Sequence, residues 1–171
     1  MFKPTMYMLC GVPGAGKSTF LSPLDNFDFK YCLASTDFFI ELAAKLKGKT
    51  YNEVFHDTIK DANKAMYEIV MAAVKDDMNI IWDQTNLNRK SRGQKLIMIP
   101  DHYRKVAIVF KTPEKDELER RLANRPGKII PMGVMQNMID SFQYPAMDEG
   151  FDKIITPEEF INAELPSLQV A

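Results

Sequence analysis

A glycine-rich stretch near the start of the chain carries the clearest chemical signal in this sequence. Residues 11–18 read GVPGAGKS, which fits the pattern G-x-x-x-x-G-K-[ST] at each fixed position. Glycines let the backbone pass close to phosphate oxygens with its N–H groups directed inward, and a following helix adds partial positive charge. A tight turn between a strand and a helix would explain the glycines but not the lysine and the hydroxyl. The stretch therefore predicts a loop that binds the phosphates of a nucleoside triphosphate.

The residues of this loop have distinct expected roles. Lys17 is expected to reach the β- and γ-phosphates of ATP, and the Ser18 hydroxyl is expected to ligate Mg²⁺. The other predicted ATP contacts are Gly11, Val12, Pro13, Gly14, Ala15, Gly16 and Thr19. ATP and Mg²⁺ are thus the predicted cofactors.

Asp37 lies in the stretch ASTDFF, directly after the second apolar segment. Phosphoryl transfer to an alcohol needs a carboxylate that orients the hydroxyl and accepts its proton late. The same residue is also suited to be the N-cap of a helix over FFIELAAKLK, a role worth about 0.5–2 kcal/mol. From the residues alone, both roles stay open.

A further polar cluster, DQTN at residues 83–86, ends the third apolar segment. A carboxylate at the end of such a segment is the usual holder of Mg²⁺, directly or through water, and we predict this role for Asp83. Thr85 and Asn86 are predicted to hydrogen-bond the acceptor, and Asp83 is predicted to help place it. The alternative without a ligand is that these polar residues form the solvated start of a helix.

Basic residues follow that cluster at once. They are Arg89, Lys90, Arg92 and Lys95. We predict acceptor contacts from Arg89 and Arg92. A solvated helix start capped by Asn88 explains the same residues without any ligand.

A second basic segment, ELERRLANRPGKIIP, covers residues 117–131. A helix that ends in a flexible basic segment suits a lid, which can close over a triphosphate and neutralise the charge that builds on the transferred group. Arginines serve this purpose well because their planar fork pairs with two phosphate oxygens. Cations near a helix C-terminus are also favoured by the helix dipole, which is the alternative. We place the predicted lid at about 120–131.

Five apolar segments of strand length must position these residues. They are residues 5–10, 30–35, 79–83, 105–111 and 151–156. Most are continuously apolar, which favours strands buried on both faces, and helical patterns separate them at about 52–75, 89–99, 114–124 and 132–142. Strands that alternate with helices predict a three-layer α/β fold with a five-stranded, mostly parallel sheet. Ligands of such sheets bind beyond the carboxyl ends of the strands, where the polar clusters fall.

Composition limits the remaining possibilities. A chain of 171 residues, 46% hydrophobic, predicts one domain over residues 1–171. The 22 Lys and Arg nearly cancel the 23 Asp and Glu, so any anion binding must be local. Cys10 and Cys32 lie in apolar runs and are expected to be reduced core residues, which fits a cytoplasmic protein. The apolar start is too short for a signal peptide or a membrane span, so no membrane partner is expected.

Together these blocks resemble the P-loop kinases that phosphorylate 5′-hydroxyl ends, typified by the kinase half of the phage polynucleotide kinase-phosphatase. The resemblance spans about residues 5–142. The segment IIWDQTNLNRKSR is similar to the strand-Asp-Thr-Asn-Leu-Asn block of that family, with Gln84 as an insertion. The segment ELERRLANRPGKIIP resembles its lid, in which two arginines four apart hold the nucleotide phosphates.

The resemblance implies roles for several residues. Arg121 and Arg125 match the spacing of the lid arginines and are expected to bind ATP, with Arg125 also acting in catalysis. Asp37 falls where the family has its general base. Ile40 stands where the family has an arginine that contacts the phosphate of the acceptor, so this chain departs from the pattern there. No D-x-D-G-T signature of a phosphatase is present.

The expected function is ATP-dependent transfer of the γ-phosphate to a hydroxyl of a nucleic acid, with a polynucleotide 5′-hydroxyl end as the leading acceptor. One alternative keeps the kinase and changes the acceptor to a nucleoside, another small-molecule alcohol or a hydroxymethylated base in DNA. Another is a nucleotide-dependent binding module that phosphorylates no acceptor. Asp37 argues against the last, because a hydrolytic switch needs a residue that orients water rather than a base directed at an alcohol.

Overall fold

The computed structural model of the chain describes residues 3–27 and 29–165, in which the five expected strands form one sheet. They are β1 (Thr5–Cys10), β2 (Tyr31–Ser35), β3 (Asn79–Asp83), β4 (Arg104–Val109) and β5 (Lys153–Ile155). Their order across the sheet is β2-β3-β1-β4-β5, and all four pairings are parallel. The predicted fold class is confirmed. The phosphate loop follows the central strand, so its neighbours at the carboxyl edge are the residues after β3 and β4.

Helices cover both faces of this sheet. They are α1 (Lys17–Leu21), α2 (Thr36–Lys47), α3 (Tyr51–Lys75), α4 (Arg89–Leu96), α5 (Lys115–Ala123), α6 (Met132–Asp140) and α7 (Pro157–Glu164). Helix α7 was not predicted, although the capping box of Thr156 and Glu159 is a sequence signal that could have found it. None of the helices in the described part of the chain combines the length and the apolar character needed to cross a membrane.

The core explains why β1 is apolar at nearly every position. All six of its residues are buried, with Met6 and Met8 packed on one face of the sheet and Tyr7 and Leu9 on the other. The first face is covered by residues of α3 and α4, and the second by residues of α1 and α7 such as Phe160. Alternate side chains of a strand point to opposite faces, so a central strand between two helical layers has no polar side.

Candidate active site

The phosphate loop has a backbone that requires glycine at two positions. Gly14 and Gly16 have φ angles of 82° and 106°, in the region that L side chains rarely adopt. A Cβ on Gly14 would also lie 2.8 Å from Cδ1 of Leu118 in α5, so the Leu118 side chain would have to move. Helix α1 has only five residues, so the loop N–H groups and Lys17, rather than a long helix dipole, must supply most of the positive potential.

Lys17 begins α1 and turns back over the loop. Its Nζ donates to the carbonyl oxygens of Gly11 at 2.8 Å and Val12 at 3.0 Å. Burial lowers the pKa of Lys17 to about 8, against the opposing effect of the Asp83 and Asp37 carboxylates. The ammonium is thus poorly solvated and lies in the cleft where a triphosphate would compensate it.

This lowered pKa predicts a pH dependence for nucleotide binding. A bound triphosphate favours the charged ammonium and therefore raises the pKa of Lys17. The affinity for the triphosphate is highest at a pH below the pKa that Lys17 has in the nucleotide-free protein. As the pH rises above about 8, the dissociation constant of a non-hydrolysable ATP analogue with Mg²⁺ should increase, by up to about tenfold per pH unit. Titration calorimetry between pH 7 and 9.5 measures this. A Lys17→Met variant should bind weakly with a flat profile, and a flat profile in the wild type would contradict the prediction.

Asp37 lies in the first turn of α2 and faces the cleft. The N-cap of that helix is Ser35, so the alternative role of Asp37 as the N-cap is wrong. Its Oδ1 accepts a hydrogen bond of 2.6 Å from the Tyr51 hydroxyl, and its Oδ2 pairs with the Lys128 ammonium. Burial acts to raise the pKa of Asp37, but the charge and hydrogen bond of Lys128 and the hydrogen bond of Tyr51 outweigh it and lower the pKa.

Asp83 and Thr85 line the same cleft from the end of β3. Burial raises the pKa of the Asp83 carboxyl, while the Lys17 charge opposes this. The Ser35 hydroxyl lies 3.4 Å from Asp83 Oδ2, and the Thr85 carbonyl accepts a 3.0 Å hydrogen bond from the Gly11 amide of the phosphate loop. This last bond ties the two loops together at the sheet edge.

The donor set at this edge fits Mg²⁺. Mg²⁺ bound with a nucleotide takes one or two protein oxygens and completes its shell with phosphate oxygens and water. Ser18 and Asp83 both line the cleft and would supply those two oxygens. Bound there, the ion would neutralise charge on the β- and γ-phosphates.

One cleft of about 1320 Å³ brings most of the predicted residues together. The predicted residues that line it are Pro13, Gly14, Ala15, Gly16, Lys17, Ser18, Thr19, Asp37, Asp83, Thr85, Arg121 and Arg125. Gly11 and Val12 are buried at the start of the loop, where their carbonyls accept hydrogen bonds from Lys17. The residues predicted to bind ATP and Mg²⁺ therefore lie together in the structure.

Asn86 is a correction to the predicted acceptor contacts. Its side chain is buried, donates to the carbonyls of Leu9 at 2.7 Å and Gln84 at 3.2 Å, and accepts from the Lys95 ammonium. Because these internal hydrogen bonds occupy the Asn86 amide, it is not free to bind an acceptor. Its backbone φ of 48° indicates a tight turn, which the amide stabilises by bonding to the strand ends.

Arg89 and Arg92 also differ from the prediction, because neither lines the cleft. Arg92 has no exposed side-chain surface and forms two hydrogen bonds of 2.7 Å to the Glu149 carboxylate. Arg89 pairs with Asp148 at 2.5 Å. The acceptor contact predicted for Arg92 is therefore wrong, whereas Arg89 is 52% exposed and its contact stays a prediction. The predicted Asn88 N-cap is confirmed, since the Asn88 side chain accepts from the Ser91 amide at 2.9 Å.

Residues of the predicted lid segment line the cleft. Arg121, in α5, donates from Nη1 to the Gly14 carbonyl at 3.1 Å and from Nε to Glu117 at 2.6 Å. Helix α5 ends at Ala123, and the stretch 124–131 that follows is not helical. Arg125 in this stretch lines the cleft, and its charge acts on Lys17 and Asp37.

Sequence reasoning missed the cleft residues at the start of α3, of which Tyr51 contacts Asp37. Tyr51, Phe55 and His56 line the cleft there, with the Tyr51 and Phe55 rings 5.7 Å apart. The sequence shows that Lys128 belongs to a basic segment, but it does not identify Asp37 as its partner. A helical pattern identifies which face of α3 is apolar, but it does not show that the first turn contacts a residue 14 positions earlier.

Comparisons with solved structures show the same fold in proteins of several descriptions. A chain of the Pnkp1/Rnl/Hen1 RNA repair complex is 24% identical to this protein, with a TM-score of 0.65. The match covers 89% of this chain and 47% of the chain in the complex. A sugar kinase from Janibacter sp. HTCC2649 is 19% identical with a TM-score of 0.57, over 98% and 96%. Shikimate kinase from Aquifex aeolicus vf5 is 16% identical with a TM-score of 0.51, over 96% of each chain. The chain thus spans less than half the length of its match in the RNA repair complex.

Sequence comparisons give a family but no individual relative. No curated protein matches the sequence. A model of the AAA domain family matches residues 6–145, which include the phosphate loop, Asp37, the end of β3 and the lid segment. With its parallel sheet and phosphate loop in the arrangement of the P-loop kinase fold, the chain belongs to this AAA domain family, AAA_33.

Proposed function

We propose that this protein is a kinase that transfers the γ-phosphate of ATP to a hydroxyl. The observation that carries the proposal is the placement of Asp37 in the same cleft as Lys17, Ser18 and Asp83. A carboxylate held by Tyr51 and Lys128 opposite a phosphate loop suits the base that orients an alcohol and accepts its proton. A nucleotide switch that phosphorylates no acceptor has no use for this carboxylate.

In the proposed reaction each group has one role. Loop N–H groups and Lys17 hold the triphosphate, and Arg121 and Arg125 compensate its charge from the lid side. Asp37 receives the proton as the acceptor oxygen forms its bond to the γ-phosphorus and the bond to the β-phosphate oxygen breaks. ADP and a phosphate monoester are the products. Mg²⁺ held by Ser18 and Asp83 would supply charge neutralisation.

A polynucleotide 5′-hydroxyl end is the acceptor that we favour. Tyr51, which contacts Asp37, is followed along the cleft lining by the rings of Phe55 and His56, and a terminal base could stack on these rings. The similarity to a chain of an RNA repair complex supports a nucleic-acid end.

A small-molecule alcohol is the second candidate, and a specific observation favours it. Ile40 is fully buried in the contact between α2 and α3, and Arg92 is fully buried against Glu149. Neither position therefore offers a cation to the phosphates of a polynucleotide. The fold is also shared with a sugar kinase and with shikimate kinase.

A panel of acceptors with γ-labelled ATP separates these candidates. The panel contains RNA and DNA oligonucleotides with 5′-hydroxyl ends, a nucleoside, a nucleoside 3′-monophosphate, duplex DNA with hydroxymethylated bases, and sugar or cyclic alcohols. We expect label at the 5′ end of an oligonucleotide, removable by a phosphomonoesterase, and none on an oligonucleotide that already carries a 5′-phosphate. Label on a sugar or cyclic alcohol alone would replace the nucleic-acid acceptor with the second candidate.

A further inference from the structure

Both oxygens of the Asp37 carboxylate are engaged by side chains from other parts of the chain. The Tyr51 hydroxyl, at the start of α3, donates to Oδ1 at 2.6 Å. The Lys128 ammonium, in the lid segment, pairs with Oδ2. Neither partner is near Asp37 in sequence, at 14 and 91 positions away, so the tertiary structure alone creates this arrangement.

Two carboxylates and an aromatic ring surround the ammonium of Lys128. Its side chain is only 13% exposed, its Nζ is 4.1 Å from the centre of the Tyr51 ring, and Glu41 Oε1 lies at 3.5 Å. A cation over an aromatic face gains about 0.5–2 kcal/mol, with the larger value for desolvated pairs. The same Tyr51 therefore binds the carboxylate with its hydroxyl and the ammonium with its ring.

The backbone on either side of Lys128 is fixed by one residue. The Asn52 amide N–H donates to the Gly127 carbonyl at 3.0 Å. The Asn52 side chain donates to the Ile129 carbonyl at 2.9 Å and accepts from the Ile129 amide at 3.0 Å. These three bonds hold the lid segment on the first turn of α3, so Lys128 reaches Asp37 only while the segment is docked there.

We propose that Tyr51 and Lys128 are positioning residues for Asp37, and that Lys128 makes the arrangement of the base depend on a docked lid. Tyr51 fixes the rotation of the carboxylate by holding Oδ1, so Oδ2 is the oxygen that faces Lys128 of the lid segment. This inference rests on the proposed function, since it assigns a role to the surroundings of the proposed base. It adds a link between lid docking and proton acceptance.

The charged groups around Asp37 determine the sign of the expected pH effect. Those that face it are Lys17 of α1, Glu41 of α2, Tyr51 of α3, Asp83 of β3, and Arg125 and Lys128 of the lid segment. Among them Lys128 has the largest effect in lowering the pKa of Asp37, while burial acts to raise it. Loss of the Lys128 charge should therefore raise the pKa of Asp37, and the acidic limb of the rate profile should move to higher pH.

The first arm of the test is independent of any activity. Carboxyl ¹³C signals are titrated in the wild type, Lys128→Met, Lys128→Arg, Tyr51→Phe and the control Lys64→Met, with Asp37→Asn used to assign the Asp37 signal. Lys64 is an exposed lysine on α3, 78% exposed, that pairs only weakly with Glu68 at 4.0 Å. We expect Lys128→Met and Tyr51→Phe to raise the Asp37 pKa, and Lys128→Arg and Lys64→Met to leave it near the wild-type value. No rise in Lys128→Met would overturn the inference, whatever the enzyme does.

The second arm measures transfer with the acceptor identified in the panel. Lys128→Met should lower kcat by about ten- to a hundred-fold, which corresponds to one charge-assisted hydrogen bond, with the KM for ATP little changed. Lys128→Arg should recover part of the rate, and the acidic limb in Lys128→Met should move upward with the ¹³C pKa. An unchanged kcat in Lys128→Met would overturn the positioning role. If the wild type transfers phosphate to no hydroxyl while the ¹³C shifts occur, the proposed function fails and the Asp37–Lys128 coupling survives.

Discussion

Lys17→Ala is expected to lose at least about a thousand-fold in phosphoryl transfer while the fold stays intact. The lysine lies in the phosphate loop, and its ammonium donates hydrogen bonds to the carbonyls of Gly11 and Val12. The phosphates of a bound triphosphate would replace these carbonyls as partners of the ammonium. The attraction would be strong because little water screens the charges there. The measurement is kcat/KM for ATP, together with the unfolding temperature.

The control for this variant is Lys115→Ala at the start of α5, where the lysine is 81% exposed. It removes the same charge from the surface and should keep the wild-type rate. If Lys17→Ala keeps a rate near that of Lys115→Ala, the assignment of the phosphate site is wrong. If Lys17→Ala unfolds at a much lower temperature, the rate is compared per folded molecule.

Asp37→Asn is expected to slow transfer by about 10²- to 10⁴-fold, the usual contribution of a general base. The amide keeps the size of the side chain, and the Tyr51 hydroxyl can still donate to its oxygen, but the group accepts no proton. Because Asp37 acts on the acceptor side, the loss should fall on kcat, with the affinity for an ATP analogue changed far less.

Glu41→Gln is the matched control for Asp37→Asn. Both residues lie on α2 and both carboxylates contact Lys128, but Glu41 does so at 3.5 Å with a 62% exposed side chain and does not line the cleft. Glu41→Gln should keep the rate within a few-fold of the wild type. If Asp37→Asn unfolds more easily but keeps its rate per folded molecule, Asp37 is a structural partner of Lys128 rather than a base.

The sheet and the phosphate loop could be predicted because their signals are local. The continuous apolar runs indicated buried strands, and β3 begins and ends where the pattern placed it, at residues 79 and 83. The glycines, Lys17 and Ser18 occur at fixed spacing after a strand, and the structure has the loop there. Position at the carboxyl edge followed from the parallel order of the strands.

Contacts between distant segments could not be predicted in the same way. Arg92 and Asn86 were expected to face an acceptor, but Arg92 is neutralised by a glutamate 57 positions later and Asn86 bonds to a carbonyl 77 positions earlier. A polar residue near a motif can bind a ligand or satisfy buried backbone groups, and spacing does not distinguish the two. The partners of Asp37 were missed for the same reason.

The destination of the γ-phosphate decides whether this protein is a kinase. With γ-labelled ATP and a saturating 5′-hydroxyl oligonucleotide, the rates of ADP formation, phosphomonoester formation and release of inorganic phosphate are measured in one reaction. We predict one phosphomonoester per ADP, almost no inorganic phosphate, and a joint loss of ester and ADP in Asp37→Asn. Release of inorganic phosphate at a rate that no acceptor hydroxyl changes, and that Asp37→Asn leaves intact, would contradict the assignment of this protein as a kinase.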